Sequence, residues 1–258
     1  MPPSTSIYPR PTRTPIVIAH RAGALLAAEN SREAFDRCAE LGFTHVETDA
    51  HVSADGQVVL IHDPVLDRVA EAKGVVSSYT VEQLETIRLR GSQFPPLLLD
   101  DALRRYPSTY FNIDAKEDAV VEPLLAVIAA HDAWKRVCIA SFSPSRMRRT
   151  RRLAPQVTTS LSQGEIAALW LRANTGIGLA PVIAPTDRIV AAQVPMRHAG
   201  VTVVTPRFIA AAHRRGLAVH VWTPNTEDEI REALSVGADG VITDDPVLAR
   251  AIIESNEF

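Results

Sequence analysis

The sequence predicts an α/β protein folded as a closed barrel of eight βα units. Three observations carry that prediction. Short apolar runs alternate with longer stretches whose apolar residues return at helical spacing, as in a parallel sheet wrapped by helices. The runs end in polar or charged residues, as strands do when a site is built on their C-terminal ends. The chain has 258 residues, enough for one large barrel or two small domains, and eight units in that length favour the barrel.

Composition narrows the function classes. A hydrophobic share of 46%, a charged share of 22% and a net charge of −3 describe an ordinary globular protein and give no reason to expect nucleic acid as a partner. Cys38 and Cys138 are the only cysteines and lie in no C-x-x-C, so neither a disulfide scaffold nor a zinc site is offered. The first 15 residues hold four prolines before Pro15 and read as a flexible leader, with 16–258 a single barrel domain. With no signal-like core and no run of about 18 to 20 apolar residues, stable membrane insertion is not expected and the cytoplasm is the expected location.

The first unit starts with residues 16–19, an apolar run that ends in His20-Arg21-Ala22-Gly23, the form of a buried strand feeding a catalytic loop. A helix follows from Asn30-Ser31, either able to cap it, with Ala34, Phe35, Cys38 and Leu41 on one face until Gly42 stops it. Residues 44–63 then read T-H-V-E-T-D-A-H-V-S-A-D-G-Q-V-V-L-I-H-D. In a strand, Glu47 and Asp49 share a face, and two neighbouring carboxylates need a counter-charge, commonly a hard cation such as Mg²⁺ or Ca²⁺. After the Asp55-Gly56 turn, the run 58–61 brings His62 and Asp63 back to the same end.

Residues 66–94 break the rhythm, with Gly74, Gly91 and one expected helix at 80–89 that opens like a capping box. They read as a small insertion after the strand-two hairpin. Alternation resumes with a helix at 98–106, a strand at 110–115, a helix at 119–131 and a strand at 137–140. Further strands are expected at 157–161, 189–194, 217–222 and 240–243, with residues 182–184 and 201–204 competing for the sixth place. The strand ends then present His20-Arg21, Glu47, Asp49, Asp114, Lys116, Ser141-Phe142, Gln193, Trp222 and Thr243-Asp244.

Asp114-Ala115-Lys116 repeats the period of two and adds a third carboxylate and an ammonium to the mouth. Three carboxylates suit one oxygen-liking divalent cation, Mg²⁺ or Ca²⁺. His20 and His62 bring imidazoles suited to proton transfer near neutral pH, while Arg21 and Lys116 bring the positive charge a phosphoryl group needs. Together these groups describe phosphodiester cleavage.

The motifs H-R-A-G, A-E-N-S, V-E-T-D-A-H-V-S-A-D-G-Q-V-V-L-I-H-D-P-V-L-D-R, N-I-D-A-K, A-S-F-S-P, V-H-V-W-T-P-N and G-A-D-G-V-I-T-D-D-P, in this order from residue 16 to about 248, resemble the glycerophosphodiester phosphodiesterases. The resemblance implies a TIM barrel with an insertion after the strand-two hairpin, and a small-molecule glycerophosphodiester cleaved to glycerol phosphate and an alcohol. It implies His20 and His62 as the acid/base pair, Arg21 and Lys116 at the phosphate, Glu47, Asp49 and Asp114 as metal ligands, and Trp222 as an apolar wall. Water or the neighbouring glycerol hydroxyl could attack, and either histidine could be the acid. Three positions depart from the family pattern: Ala22 stands for Gly, Ala28 for Pro and Asp114 for Glu. The shorter Asp114 implies a cation closer to strand three, bound through water, or held less tightly.

Other readings compete. A phospholipase D-like enzyme acting on lysolipids or sphingolipids would need apolar surface around the mouth, and a binding protein could keep the fold without the chemistry. His45 is expected to fill a barrel layer. His51 is either a supporting residue or a solvated strand end, and His131, His198 and His213 are expected at the surface. The basic run 146–152 is expected on a solvated helix face. Thr243-Asp244 is expected to tie down the last helix, and Trp222 could simply be core.

Overall fold

A computed structural model describes residues 14–175 and 188–256. Most of the expected leader and the competing strand at 182–184 lie outside the described residues. Twelve strands are found among those described: β1 (Ile16–Ala19), β2 (His45–Val52), β3 (Val58–Leu60), β4 (Leu97–Leu98), β5 (Tyr110–Ala115), β6 (Val137–Ala140), β7 (Thr158–Ser160), β8 (Ile189–Pro195), β9 (Arg197–His198), β10 (Val201–Thr202), β11 (Ala218–Trp222) and β12 (Gly240–Thr243).

Eight of these pair in parallel in the order β1-β2-β5-β6-β7-β8-β11-β12, and β12 pairs with β1 to close the barrel. This is the α/β fold of a TIM barrel, as the sequence predicts. The seam between β1 and β12 is tight. A Cβ on Gly240 would stand 2.7 Å from the carbonyl oxygen of Ile16, so the backbones can approach this closely only with glycine there. Nearly every residue of β2 is buried, because a barrel strand faces side chains inside and helices outside.

The helices are closed by local chemistry. Ser31 caps Arg32–Glu40 by accepting from the Ala34 amide, and Gly42, at φ 76, takes the left-handed turn beyond its end. The helix buries Ala34, Phe35 and Cys38 against β1, β2 and β5, at the spacing the sequence shows. Among the described residues, no helix is long and apolar enough to cross a membrane.

Off the barrel, β3 runs antiparallel to β2 and carries β4 on its far edge. Between β3 and β4, Leu66, Val69, Ala70, Val76, Leu84 and Leu89 pack together with Val59 and Ile61 in a small core of their own. The helix expected at 80–89 is only Val81–Leu84, with the Thr80–Gln83 capping box in place. Beyond it the backbone turns to pair elsewhere: Glu71 donates to the Arg88 carbonyl and Arg90 to that of Val69. That exchange gives the Arg88 carbonyl and the Arg90 amide partners outside any helix.

One further expectation changes and one holds. The basic run lies on the helix Pro144–Leu153, yet Arg146, Arg149 and Arg151 turn to Asp118, Glu122 and Glu165 rather than standing free in solvent. Residues 201–204 supply β10, which pairs with β9 in a hairpin outside the barrel, and the sixth barrel strand is β8.

Candidate active site

The carboxylates come first from β2. Alternation points Glu47 and Asp49 into the barrel, where they are 6% and 1% exposed, while Thr48 faces outward and donates to Asn30 Oδ1 at 2.6 Å. Asn30, at φ 55 in the left-handed region that Asn tolerates, returns its amide to Asp49 Oδ2 at 3.1 Å. The register of β2 and β5 sets Asp49 directly beside Asp114, one step above Glu47 beside Asn112.

Lys116, just past β5, sends Nζ to Asp49 Oδ1 and Asp114 Oδ2, both at 2.8 Å. Burial alone would lower the pKa of the ammonium, but the two carboxylates hold it far above its usual value. Burial would raise Asp49 as well, yet the adjacent Lys116 charge holds it below the ordinary carboxylate range. Asp114 goes the other way, raised by burial more than Lys116 can offset. Glu47 is also raised, by burial and by the neighbouring Asp49 charge.

The end of β1 brings His20 and Arg21. Arg21, Ala22 and Gly23 take φ values of 49, 63 and 82, three left-handed residues in succession. This turn aims the Arg21 amide at Glu47 Oε2, 3.0 Å away, and sets Arg21 Nε 3.7 Å from Asp49 Oδ2. His20 lies with Nδ1 2.6 Å from Asp244 Oδ1 and Nε2 3.8 Å from Glu47 Oε2. Burial would lower the pKa of its ring, but the Asp244 hydrogen bond and the Glu47 charge more than compensate, and the net shift is upward.

The end of β3 brings His62, whose Nδ1 is 2.7 Å from Asp63 Oδ1. Each histidine therefore has a carboxylate on Nδ1, which fixes the ring and turns Nε2 away from that carboxylate. Asp63 continues to Arg68 at 2.6 Å, Arg68 forks onto both oxygens of Glu29 at 2.7 Å, and Glu29 meets Arg21 at 2.9 Å. The Arg68 hydrogen bond lowers the Asp63 pKa to about 2. His51 is 5% exposed, between Glu117 and the His62 carbonyl, so of its two expected roles the structure shows a supporting residue.

His20, Arg21, Glu47, Asp49, His62, Asp114, Lys116 and Trp222 all line one cavity of about 580 Å³. Every residue singled out for the site from the sequence thus meets the others there. Trp222 packs edge-on to Phe142 with ring centroids 5.9 Å apart. The sequence sets Asp63 and Asp244 at the mouth without assigning either to a histidine, and gives Arg68, Glu29 and Asn30 no place in the site. A signal existed for three of them, since Asp63 follows His62 and the motif A-E-N-S holds Glu29 and Asn30. Asp244 was expected to anchor the last helix; Asp245 does that instead, accepting from the Leu248 amide at 2.9 Å.

Glu47, Asp49 and Asp114 offer only hard oxygen donors, and Asp114 Oδ1 is buried with no hydrogen-bond partner. By kind, these donors fit a divalent cation. Their present spacing serves Lys116, and among the described residues no three His, Cys, Asp or Glu side chains stand close enough to hold a metal ion.

The sequence profile described as the glycerophosphoryl diester phosphodiesterase family matches residues 20–248. The protein of Mycobacterium tuberculosis named Probable glycerophosphodiester phosphodiesterase 2 is 34% identical over 240 residues, covering 92% of this chain and 90% of the relative. The crystal structure of a glycerophosphodiester phosphodiesterase from Agrobacterium tumefaciens superposes with a TM-score of 0.73 at 21% identity, over 91% of this chain and 99% of the other. A phosphodiesterase of Oleispira antarctica, solved with the product sn-glycerol-3-phosphate, gives a TM-score of 0.75 at 18% identity, over 93% and 97%. At those identities the two structures speak for the fold.

Proposed function

This chain belongs to the glycerophosphoryl diester phosphodiesterase family and is a phosphoric diester hydrolase, and from that premise we propose that it cleaves glycerophosphodiesters with His20 and His62 as its acid and base. One observation carries the reading: both imidazoles are anchored at Nδ1 by a carboxylate, at 2.6 and 2.7 Å, and both line the cavity that holds the cationic and carboxylate groups.

Arg21 and Lys116 bind the phosphoryl oxygens and balance the charge that builds on them. Nε2 of one histidine takes the proton of the attacking oxygen, which is water or the adjacent glycerol hydroxyl. Nε2 of the other returns a proton to the departing alkoxide, so the alcohol leaves neutral. Asp244 and Asp63 keep both rings in the tautomer this requires. Trp222 gives the alcohol portion an apolar wall. Glu47, Asp49 and Asp114 would hold a divalent cation, Mg²⁺ or Ca²⁺, which the family's dependence on such ions supports and which would polarise a phosphoryl oxygen.

The test is hydrolysis of glycerophosphocholine, followed by release of glycerol phosphate, with and without EDTA. His20→Ala and His62→Ala should each lose on the order of 10²-fold or more in kcat. Turnover indifferent to chelator and to both substitutions would overturn the mechanism.

A further inference from the structure

The segment between β3 and β4 returns one side chain to the barrel mouth. Leu66 and Ala70 are buried in the small core of that segment, and the turn between them is closed by the Val69 and Ala70 amides, which donate to the Leu66 carbonyl at 3.1 and 2.8 Å. Arg68, in the middle of this turn, leaves that core for the end of β3. It is not among the side chains that line the cavity, yet each of its three guanidinium nitrogens is used. Nε donates to Asp63 Oδ2 at 2.6 Å, and the two terminal nitrogens donate to the two oxygens of Glu29 at 2.7 Å. Asp63 carries on to His62, and Glu29 to Arg21. One guanidinium is thus bonded both to the carboxylate behind a proton-transfer group and to the carboxylate beside a phosphate-binding group.

Charge explains why a cation stands there. Glu29 lies 2.9 Å from Arg21, and by itself would offset the positive charge that Arg21 holds for a phosphodiester anion. Arg68 takes both Glu29 oxygens, so that Glu29 and Asp63 are balanced by two guanidinium groups. Geometry explains why the cation is arginine. Its planar fork fixes Glu29 through two bonds and leaves Nε directed at Asp63, whereas an ammonium is a point charge without fixed directions. The fold has other fastenings at this place. The Arg68 side chain is 49% exposed, and the same segment is tied to the helix Arg32–Glu40 by Ser92 Oγ and the Gln93 amide, which donate to Glu33 at 2.6 and 2.8 Å.

We propose that Arg68 is a positioning residue for the reaction: through Asp63 it holds the His62 ring for proton transfer, and through Glu29 it preserves the charge of Arg21 for the phosphoryl group. The proposal rests on the phosphodiesterase reading above and adds to it a residue outside the cavity.

The experiment measures kcat and KM separately for glycerophosphocholine at saturating divalent cation. Arg68→Met should lower kcat by about tenfold or more and raise KM by about fivefold or more. Arg68→Lys keeps the charge but not the fork, so its KM should return to within about twofold of the wild type while kcat stays about fivefold or more below it. A purely structural role would not divide the two constants in this way. Two double mutants assign the routes: added to Asp63→Asn, Arg68→Met should cost less than about twofold in kcat, and added to Glu29→Gln, less than about twofold in KM. Equal constants in the wild type and Arg68→Met, or losses that persist undiminished in both double mutants, overturn the proposal while leaving the phosphodiesterase reading intact. Absence of wild-type turnover with every glycerophosphodiester overturns that reading and the proposal with it.

Discussion

The carboxylate of Asp244 holds Nδ1 of His20 at 2.6 Å, across 224 residues of chain. Its other oxygen accepts from Asn225 Nδ2 at 2.6 Å, so the carboxylate is itself fixed. Asp244→Asn removes the charge and places an amide against an amide. We expect kcat to fall on the order of 10- to 100-fold with KM little changed, since the lost interaction orients a proton-transfer group rather than binding the diester. Without the carboxylate the His20 pKa falls, and the His20-dependent limb of the kcat–pH profile should move to lower pH. An unmoved limb would mean that Asp244 serves the fold alone.

Asp114 predicts an affinity difference. Its carboxylate reaches Lys116 and leaves one oxygen unpartnered, one methylene short of the glutamate usual in the family pattern. Asp114→Glu should lower the divalent-cation concentration for half-maximal activity, and Asp114→Asn should raise it by about tenfold or more. Titration of activity against Mg²⁺ and Ca²⁺ reads both. Identical midpoints for all three proteins would exclude Asp114 as a ligand.

Ala22 sits at φ 63 with 0% exposure. A left-handed alanine costs about 1–2 kcal/mol, whereas its buried methyl contributes about 0.8 kcal/mol. Ala22→Gly should therefore leave stability unchanged or raise it by up to about 1 kcal/mol, in contrast to the usual loss when a buried alanine is truncated. Urea denaturation decides the sign, and a loss above about 1 kcal/mol would contradict the argument.

The barrel floor predicts acid sensitivity. Burial pushes the pKa of His220 down to about 3, and that of His45, stacked 4.8 Å from Tyr110, down to about 4. Below the ordinary histidine pKa of about 6.5 the unfolded chain takes up protons that the folded chain refuses, so stability falls as pH drops from about 6 to 4. The slope per buried histidine is at most about 1.4 kcal/mol per pH unit. His220→Gln should reduce the slope by about one proton, as read from urea unfolding at successive pH values. A slope that does not change would assign the acid sensitivity to other groups.

Strands β5, β6 and β12 coincide with the apolar runs that predict them, because a parallel barrel strand buries both faces and its sequence changes abruptly where burial ends. The carboxylates of β2 and β5 were legible for a related reason: a period of two assigns a face without tertiary knowledge. The helix at Val81–Leu84 is shorter than its capping box and apolar spacing predict because its continuation pairs with residues 69–71, which local propensity does not register. The pairings of Asp244 with His20 and of Arg68 with Glu29 were illegible for the same kind of reason. Their partners lie 224 and 39 residues away, and nothing near either one in sequence names them.

The tight seam at Gly240 has a consequence for synthesis. The ladder from Ile16–Gly240 to Ala19–Thr243 joins the two most distant strands of the chain, and His20 and Asp244 follow immediately after its last pair. Contacts of such separation carry the largest loop-closure entropy and tend to form late. On the ribosome His20 emerges before Asp244, and the ring acquires its anchor only once β12 has docked, so the fully ordered His20 ring and barrel closure arrive together.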